Sequence, residues 1–259
     1  TYKTNFEKVV FAVNISLDSQ NLVNGLFIKP YEEPKNTESR VINTLSNYST
    51  EIAEIIFAKT KDFPNKTQLS IAVIQNGETN YYGIIKENDT IKQTKNQNKI
   101  FEIGSITKVF TSTVFASLIE DKKLKLTDEI NTFYSFSIKD NTKISFQSLA
   151  NHTSGLPRLP ENLDLSNETN PYKNYGKREI EEYLKNLLKL ENEPLKISSY
   201  SNLGAGLLGY TLGLSQKTSF QKLLQKKVFD KYKMTNSFTS SQNLNNRLVK
   251  GLDGNGEVV

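Results

Sequence analysis

Gln75-Asn-Gly-Glu78 constrains this chain more than any other four residues, because Asn-Gly suits the two-residue hairpin turn, which needs positive φ at both central positions. On either side lie Leu69-Ser-Ile-Ala-Val-Ile74 and Tyr81-Tyr-Gly-Ile-Ile85, both rich in β-branched and aromatic residues. They read as antiparallel neighbours in one sheet. Lys99-Ile-Phe-Glu-Ile103 reads as a third strand. Before the hairpin, Ile42, Leu45, Tyr48, Ile52, Ile55 and Ile56 recur at helical spacing, which predicts a helix of about 20 residues ending at Thr60. After it, Val109, Phe110, Val114, Leu118 and Ile119 form the apolar stripe of another helix.

The flanks carry weaker signals. Residues 3 to 16 and 22 to 29 are apolar runs around Asp18-Ser-Gln-Asn21, a hairpin pattern, and Pro30 to Asn36 reads as a linker. A lone hairpin is marginal in water, so it belongs to a sheet whose other strands precede Thr1. From 127 to 240 the pattern turns helical and polar. Thr127 and Ser145 read as caps of short helices, and Ile180, Tyr183, Leu184, Leu187 and Leu188 mark a longer one after Gly176. Asn151-His-Thr-Ser-Gly-Leu-Pro157 is a loop by its Gly and Pro content, and residues 157 to 175 form a long surface loop, of the kind that often borders a site.

Inventory excludes several chemistries. The chain has no cysteine and one histidine, His152, so thiol nucleophiles, disulfides and Cys/His zinc sites are ruled out. A Ser-His-Asp triad would have to use His152. The net charge of +5 is scattered among acidic residues without a reading motif, which argues against a nucleic-acid partner. No run approaches the roughly 18 apolar residues of a membrane span.

Ser105 and Lys108 are the first residues with chemical content. On a helix, i and i+3 share a face, so the amine can reach the hydroxyl and act as its base. The alternative is that Ser105 is a helix N-cap. Ser219 and Lys222 repeat the spacing, but Thr218-Ser219 before Phe220-Gln-Lys-Leu-Leu reads as a cap with a solvated lysine. Tyr200-Ser-Asn202 lies between the strand-like Leu195-Lys-Ile and the glycine-rich Leu203-Gly-Ala-Gly-Leu-Leu-Gly, whose glycines permit close helix packing. A tyrosine there can relay a proton, and an asparagine can orient an amide. The bland reading makes Tyr200 a packed aromatic and Asn202 a cap. Tyr172-Lys-Asn174 repeats the pattern inside a polar loop and reads as accidental.

Phe101-Glu-Ile-Gly-Ser-Ile-Thr-Lys108, Ser148-Leu-Ala-Asn-His-Thr-Ser-Gly-Leu-Pro157, Tyr200-Ser-Asn-Leu-Gly204, Gly206-Leu-Leu-Gly209 and Leu223 to Asp230 with Met234-Thr-Asn follow one another in order. Together they resemble the class C β-lactamase-like serine hydrolases, a family that includes D-alanyl-D-alanine carboxypeptidases and esterases. The resemblance spans about residues 40 to 259. It implies an α/β fold of the α+β type, with an antiparallel sheet flanked by helices and a mostly helical subdomain. It also implies Ser105 as the nucleophile of an acyl-enzyme, Lys108 and Tyr200 as proton carriers, and Asn202 as the contact to the substrate amide. No cofactor or metal is implied, and His152 falls in the family's His-Thr-Ser-Gly-Leu-Pro loop as a structural residue. The substrate is then a small molecule or peptide bearing an amide, ester or β-lactam carbonyl, and the expected setting is the exported envelope space of a bacterium. Residues 1–34 are similar to the last strands and linker of a small α+β domain, leaving 35–259 as the hydrolase-like domain.

One element of the family pattern, Lys-Thr-Gly or His-x-Gly on a late strand, has no counterpart here. Lys217-Thr-Ser219 lacks the glycine and leads into a helix. The expectation is of a chain incomplete at both ends, lacking a cation and one backbone donor of the oxyanion hole. Losing one such donor typically costs about 100- to 1,000-fold in rate. The sheet would also keep an uncovered edge, so the chain alone is expected to show little activity and to aggregate. The competing reading is a binding or scaffold protein that keeps the fold without the chemistry.

Overall fold

The structure, a computed structural model, describes residues 2–5, 10–17, 20, 22–31, 41–166 and 170–259. The chain divides into two compact units, Thr1–Asn43 and Thr44–Val259. In the first, strands β1 (Tyr2–Asn5), β2 (Val10–Leu17) and β3 (Val23–Pro30) pair antiparallel in chain order. The single run expected over 3 to 16 is therefore two strands, with Tyr2 opposite Val13. Ile15 stands opposite Leu26 and Val13 opposite Ile28, so Ile15, Leu26 and Ile28 form an apolar row exposed on one face. The turn at 18–21 and the linker from Glu32 onward fall largely outside the described residues. A two-residue strand, β4 (Ile42–Asn43), ends this unit.

The second unit opens with a turn rather than the first half of a helix. Leu45 is buried in it, and the Tyr48 hydroxyl accepts from Gly83 N–H at 3.0 Å and donates to Gly83 O at 2.8 Å. The apolar spacing at Leu45 and Tyr48 thus reflects packing of a turn, Ile42 is exposed on an extended segment, and helix α1 covers only Thr50–Thr60. Just past α1, the buried Lys86 ammonium donates to Lys61 O at 2.7 Å and Phe63 O at 2.8 Å. A cation at a helix C-terminus meets both the unpaired carbonyls and the negative end of the dipole.

Strands β5 (Gln68–Gln75), β6 (Glu78–Glu87) and β7 (Thr90–Gln93) form an antiparallel meander with β6 between the other two. Asn76 and Gly77 both have positive φ, 52° and 82°, as the type I′ turn requires. Asn88 and Asp89 repeat this geometry at 49° and 53°. Asn and Asp tolerate the left-handed region, so the third strand follows at once as Thr90–Gln93. Residues 99 to 103, expected as that strand, make only a single bridge, Ile100 to Leu248.

Helices supply the rest. These are α2 (Thr107–Glu120), α3 (Phe146–Ala150), α4 (Lys177–Glu182), α5 (Asn202–Ser215) and α6 (Phe220–Leu224). A single π turn extends α4 over Tyr183–Leu187 and another extends α6 over Gln225–Phe229. Val114, Phe115 and Leu118 of α2 meet Phe146 and Leu149 of α3 and Leu207, Leu208 and Leu212 of α5 in one buried cluster. Phe115 stacks on Phe146 with ring centroids 5.5 Å apart. Each such side chain contributes about 1.5–3 kcal/mol by leaving water. The buried face of α2 is Thr111, Val114, Phe115 and Leu118, and Val109, read as part of the stripe, is 63% exposed.

Caps set where these helices start. Ser145 Oγ accepts from Ser148 N–H and Ser219 Oγ from Lys222 N–H, so the second Ser-x-x-Lys pair is a cap. Thr127 caps nothing: the short 3-10 turn there runs Ile130–Phe133 after Glu129, while Asp128 accepts from Lys125 N–H. The result is the expected α/β class of the α+β type, an antiparallel sheet with a mostly helical part. Among the described residues no helix is long and apolar enough to cross a membrane, and no group of side chains is arranged to hold a metal ion.

Candidate active site

Ser105 stands on a 3-10 turn, Gly104–Ile106, that leads directly into α2. Gly104 has φ +50°, and the space around its missing Cβ is open. Only the left-handed backbone demands glycine here, to turn the chain from extended to helical. Ser105 does not cap α2 through its side chain. Its exposed hydroxyl instead accepts from the Lys108 ammonium at 3.0 Å, one turn along.

Tyr200 comes from 95 residues away, and its hydroxyl donates to the same Ser105 Oγ at 2.8 Å. It lies on an irregular segment, since Leu195-Lys-Ile, expected to be extended, forms no strand. That segment is stitched to the loop of His152 and Pro157. Leu195 N–H donates to Thr153 O at 2.7 Å, Ser199 N–H to His152 O at 2.8 Å, and Asn202 N–H to Arg158 O at 3.0 Å. Ser201 adds two more bonds: its hydroxyl donates to Pro157 O at 2.6 Å and accepts from Gly204 N–H at 2.8 Å. Ser201, not Asn202, is thus the N-cap of α5. Because α2 and α5 share the buried cluster, the serine ahead of one helix and the tyrosine ahead of the other are held face to face.

The electrostatics lower the cost of an anion at Tyr200. The Lys108 ammonium lies 4.8 Å from its ring centroid and the Arg158 guanidinium 5.2 Å. Lys108 and the Ser105 hydroxyl beside the phenol oxygen, with the Arg158 charge behind them, hold the phenol below its ordinary range. Tyr200 is 41% exposed, so the packed-aromatic alternative does not describe it. Ser105, Lys108, Asn202, Tyr172 and Gly206 line one cleft of about 760 Å³.

Two residues, one on the cleft wall and one against Tyr200, escaped the sequence reading. Tyr172, taken as an accidental repeat, lies on the cleft wall with its hydroxyl 3.5 Å from the Asn202 side-chain amide. Arg158 follows a recognisable loop, but nothing local says that it stacks on a tyrosine 42 positions later in the chain. Of the close-packing glycines, Gly209 faces the Phe220 ring, whereas Gly206 has nothing within 4 Å of where a Cβ would be.

A hydroxyl receiving hydrogen bonds from an ammonium and a phenol, on a turn that opens a helix at a cleft, defines a serine-hydrolase-type arrangement in a mixed α/β fold. The profile of the Beta-lactamase family matches residues 61–255, and the chain belongs to that family. A β-lactamase of Pseudomonas fluorescens is 31% identical over 175 residues, 66% of this chain and 46% of that protein. Beta-lactamase-like protein 2 of Dictyostelium discoideum is 28% identical over 258 residues, 96% of this chain and 44% of that protein. The matched region thus spans less than half the length of these curated relatives. Among solved structures, a β-lactamase/D-alanine carboxypeptidase of Yersinia pestis complexed with citrate superimposes with a TM-score of 0.63 at 24% identity, over 82% of this chain and 60% of that one. The corresponding protein of Pseudomonas syringae gives 0.62 at 24%, over 80% and 55%. These likenesses establish the fold.

Proposed function

We propose that the chain carries the acylating centre of a serine hydrolase acting on an amide, ester or β-lactam carbonyl. The observation that carries this reading is the convergence of Lys108 and Tyr200 on Ser105 Oγ. Tyr200, as the phenolate favoured by Lys108 and Arg158, takes the Ser105 proton while Oγ forms a bond to the carbonyl carbon. The tetrahedral intermediate then collapses. The bond to the leaving group breaks, the leaving group receives that proton from the Tyr200 phenol, and an acyl-Ser105 ester remains. Water, deprotonated by the Tyr200 phenolate, adds to the ester carbonyl, and the bond to Oγ then breaks as the Tyr200 phenol returns the proton to Oγ, releasing the acid and regenerating the hydroxyl. The Lys108 ammonium beside Ser105 Oγ stabilises the phenolate, and Asn202 on the cleft wall contacts the substrate amide.

The names of the relatives, β-lactamases and D-alanine carboxypeptidases, support the same substrate range. Export to the envelope space belongs to this proposal, because β-lactams and peptidoglycan are met there.

A fluorophosphonate or penicillin probe tests it. Slow but detectable mass labelling of the chain is expected, abolished in Ser105→Ala and retained in Ser219→Ala. Labelling untouched by Ser105→Ala overturns the assignment, and a folded chain that no probe acylates favours the binding or scaffold reading.

A further inference from the structure

His152 grips the backbone on both sides of Tyr200. Its carbonyl accepts from Ser199 N–H at 2.8 Å, and its ring nitrogen Nδ1 accepts from Ser201 N–H at 3.2 Å. The imidazole also lies against the phenol ring, with centroids 4.7 Å apart and planes tilted by 33°. The residue reaches this position through a left-handed backbone, φ +57°, a region where histidine is enriched among non-glycine residues. Three independent contacts from one residue therefore fix the tyrosine whose oxygen meets Ser105.

The geometry points to His152 as the positioning residue of Tyr200, acting as a neutral imidazole with its proton on Nε2 and Nδ1 reserved for Ser201. This rests on the hydrolase reading only in that Tyr200 is a proton carrier there. Both ring nitrogens of an imidazolium are donors, so protonation removes the acceptor that Ser201 N–H uses. It also adds a positive charge beside Tyr200, which already faces Lys108 of α2 and Arg158 of the adjoining loop. Burial and the Lys108 charge both push the imidazole below its ordinary range, which keeps Nδ1 free at neutral pH. As pH falls through the imidazole's titration, the Ser201 bond is lost and Tyr200 loses one of its anchors.

Because His152 is the only histidine, its ring signals in a uniformly ¹⁵N-labelled chain assign themselves. The expected spectrum shows the Nε2–H tautomer, titrating below about 6.5. A neutral ring protonated on Nδ1 overturns the proposal whether or not the chain is an enzyme. The second arm measures acylation rates with the fluorophosphonate probe. Asn suits the left-handed backbone and sets an amide oxygen near the place of Nδ1, whereas Gln sets it farther out. His152→Asn is expected to label within about threefold of wild type, and His152→Gln and His152→Leu to label about 10- to 100-fold more slowly, as displacement by an ångström predicts. Wild type should lose labelling at acid pH more steeply than the Tyr200 titration alone gives, and that extra loss should vanish in His152→Asn. An acid limb unchanged in His152→Asn, or equal losses in Asn, Gln and Leu variants, refutes positioning through Nδ1. A wild-type chain that never labels counts against the hydrolase reading instead, and the tautomer then decides the role of His152 by itself.

Discussion

At the residue scale, one oxygen governs the site. Ser105 Oγ receives both Lys108 and Tyr200, and the phenol is held below its ordinary range by the first of these. The sign of the pH dependence follows. In the proposed mechanism the phenolate is the base, so its fraction grows as pH rises, with a midpoint below the ordinary value of about 10. Acylation should therefore increase with pH through a limb centred below that value. In Tyr200→Phe the limb should disappear and the rate fall by about 100- to 10,000-fold, the usual contribution of a positioned proton carrier. A Tyr200→Phe rate profile that keeps the limb would assign it to another group. The one-turn spacing suggests the Ser105 and Lys108 pair, but local context leaves Ser105 open as a cap and Tyr200 as a packed aromatic, and only the ordered run of motifs puts the three residues together as a candidate site. Arg158 and Tyr172 were not legible in the sequence, since a guanidinium on a ring or a hydroxyl beside an amide is a product of tertiary folding and leaves no local pattern.

At the element scale, turns were where reading from periodicity failed. Leu45 and Tyr48 have helical spacing but pack a turn, and Asn88-Asp89 makes a tight hairpin from residues less diagnostic than Asn-Gly. Periodicity reports which side chains are buried, not how the backbone gets there. The end of α1 gives a prediction of its own. Lys86 serves two carbonyls at 2.7 and 2.8 Å, whereas its ion partner Asp89 is 3.8 Å away and largely exposed. Hydrogen bonds to charged donors are worth about 1.5–3 kcal/mol, and a loose, half-exposed ion pair about 0–1 kcal/mol. The carbonyls should dominate. Lys86→Met is expected to lower unfolding stability in urea by about 1–3 kcal/mol. Asp89→Asn should stay within about 0.5 kcal/mol. Equal losses in the two variants would show that the ion pair carries the effect.

At the scale of the whole molecule, strand β5 is the exposed end of the meander. Its sequence, Gln68-Leu-Ser-Ile-Ala-Val-Ile-Gln75, has no charge and no proline, and Ile74 is 74% exposed. Among the described residues only β6 pairs with it. Natural edge strands are usually guarded by charge, proline or a bulge, and an unguarded one pairs with whatever strand it meets. Concentration-dependent association is expected in sedimentation experiments, and Ile74→Lys should reduce it without moving the melting temperature by more than a degree or two, as for surface changes generally. Association that Ile74→Lys leaves intact would place the contact elsewhere.

Gly206 shows how far the cleft can be retuned. A glycine inside a helix gives up about 0.5–1 kcal/mol relative to alanine, yet here no neighbouring atom forbids a side chain. Gly206 lines the same cleft as Ser105 and Asn202, so a side chain added here should occupy part of that cleft. The position works as a width setting for the cleft, independent of the proton machinery. Gly206→Ala should make the chain slightly more stable, and Gly206→Leu should exclude bulky acyl groups while small ones still reach Ser105. A change in acyl preference at this single position would separate what the site can hold from how it reacts.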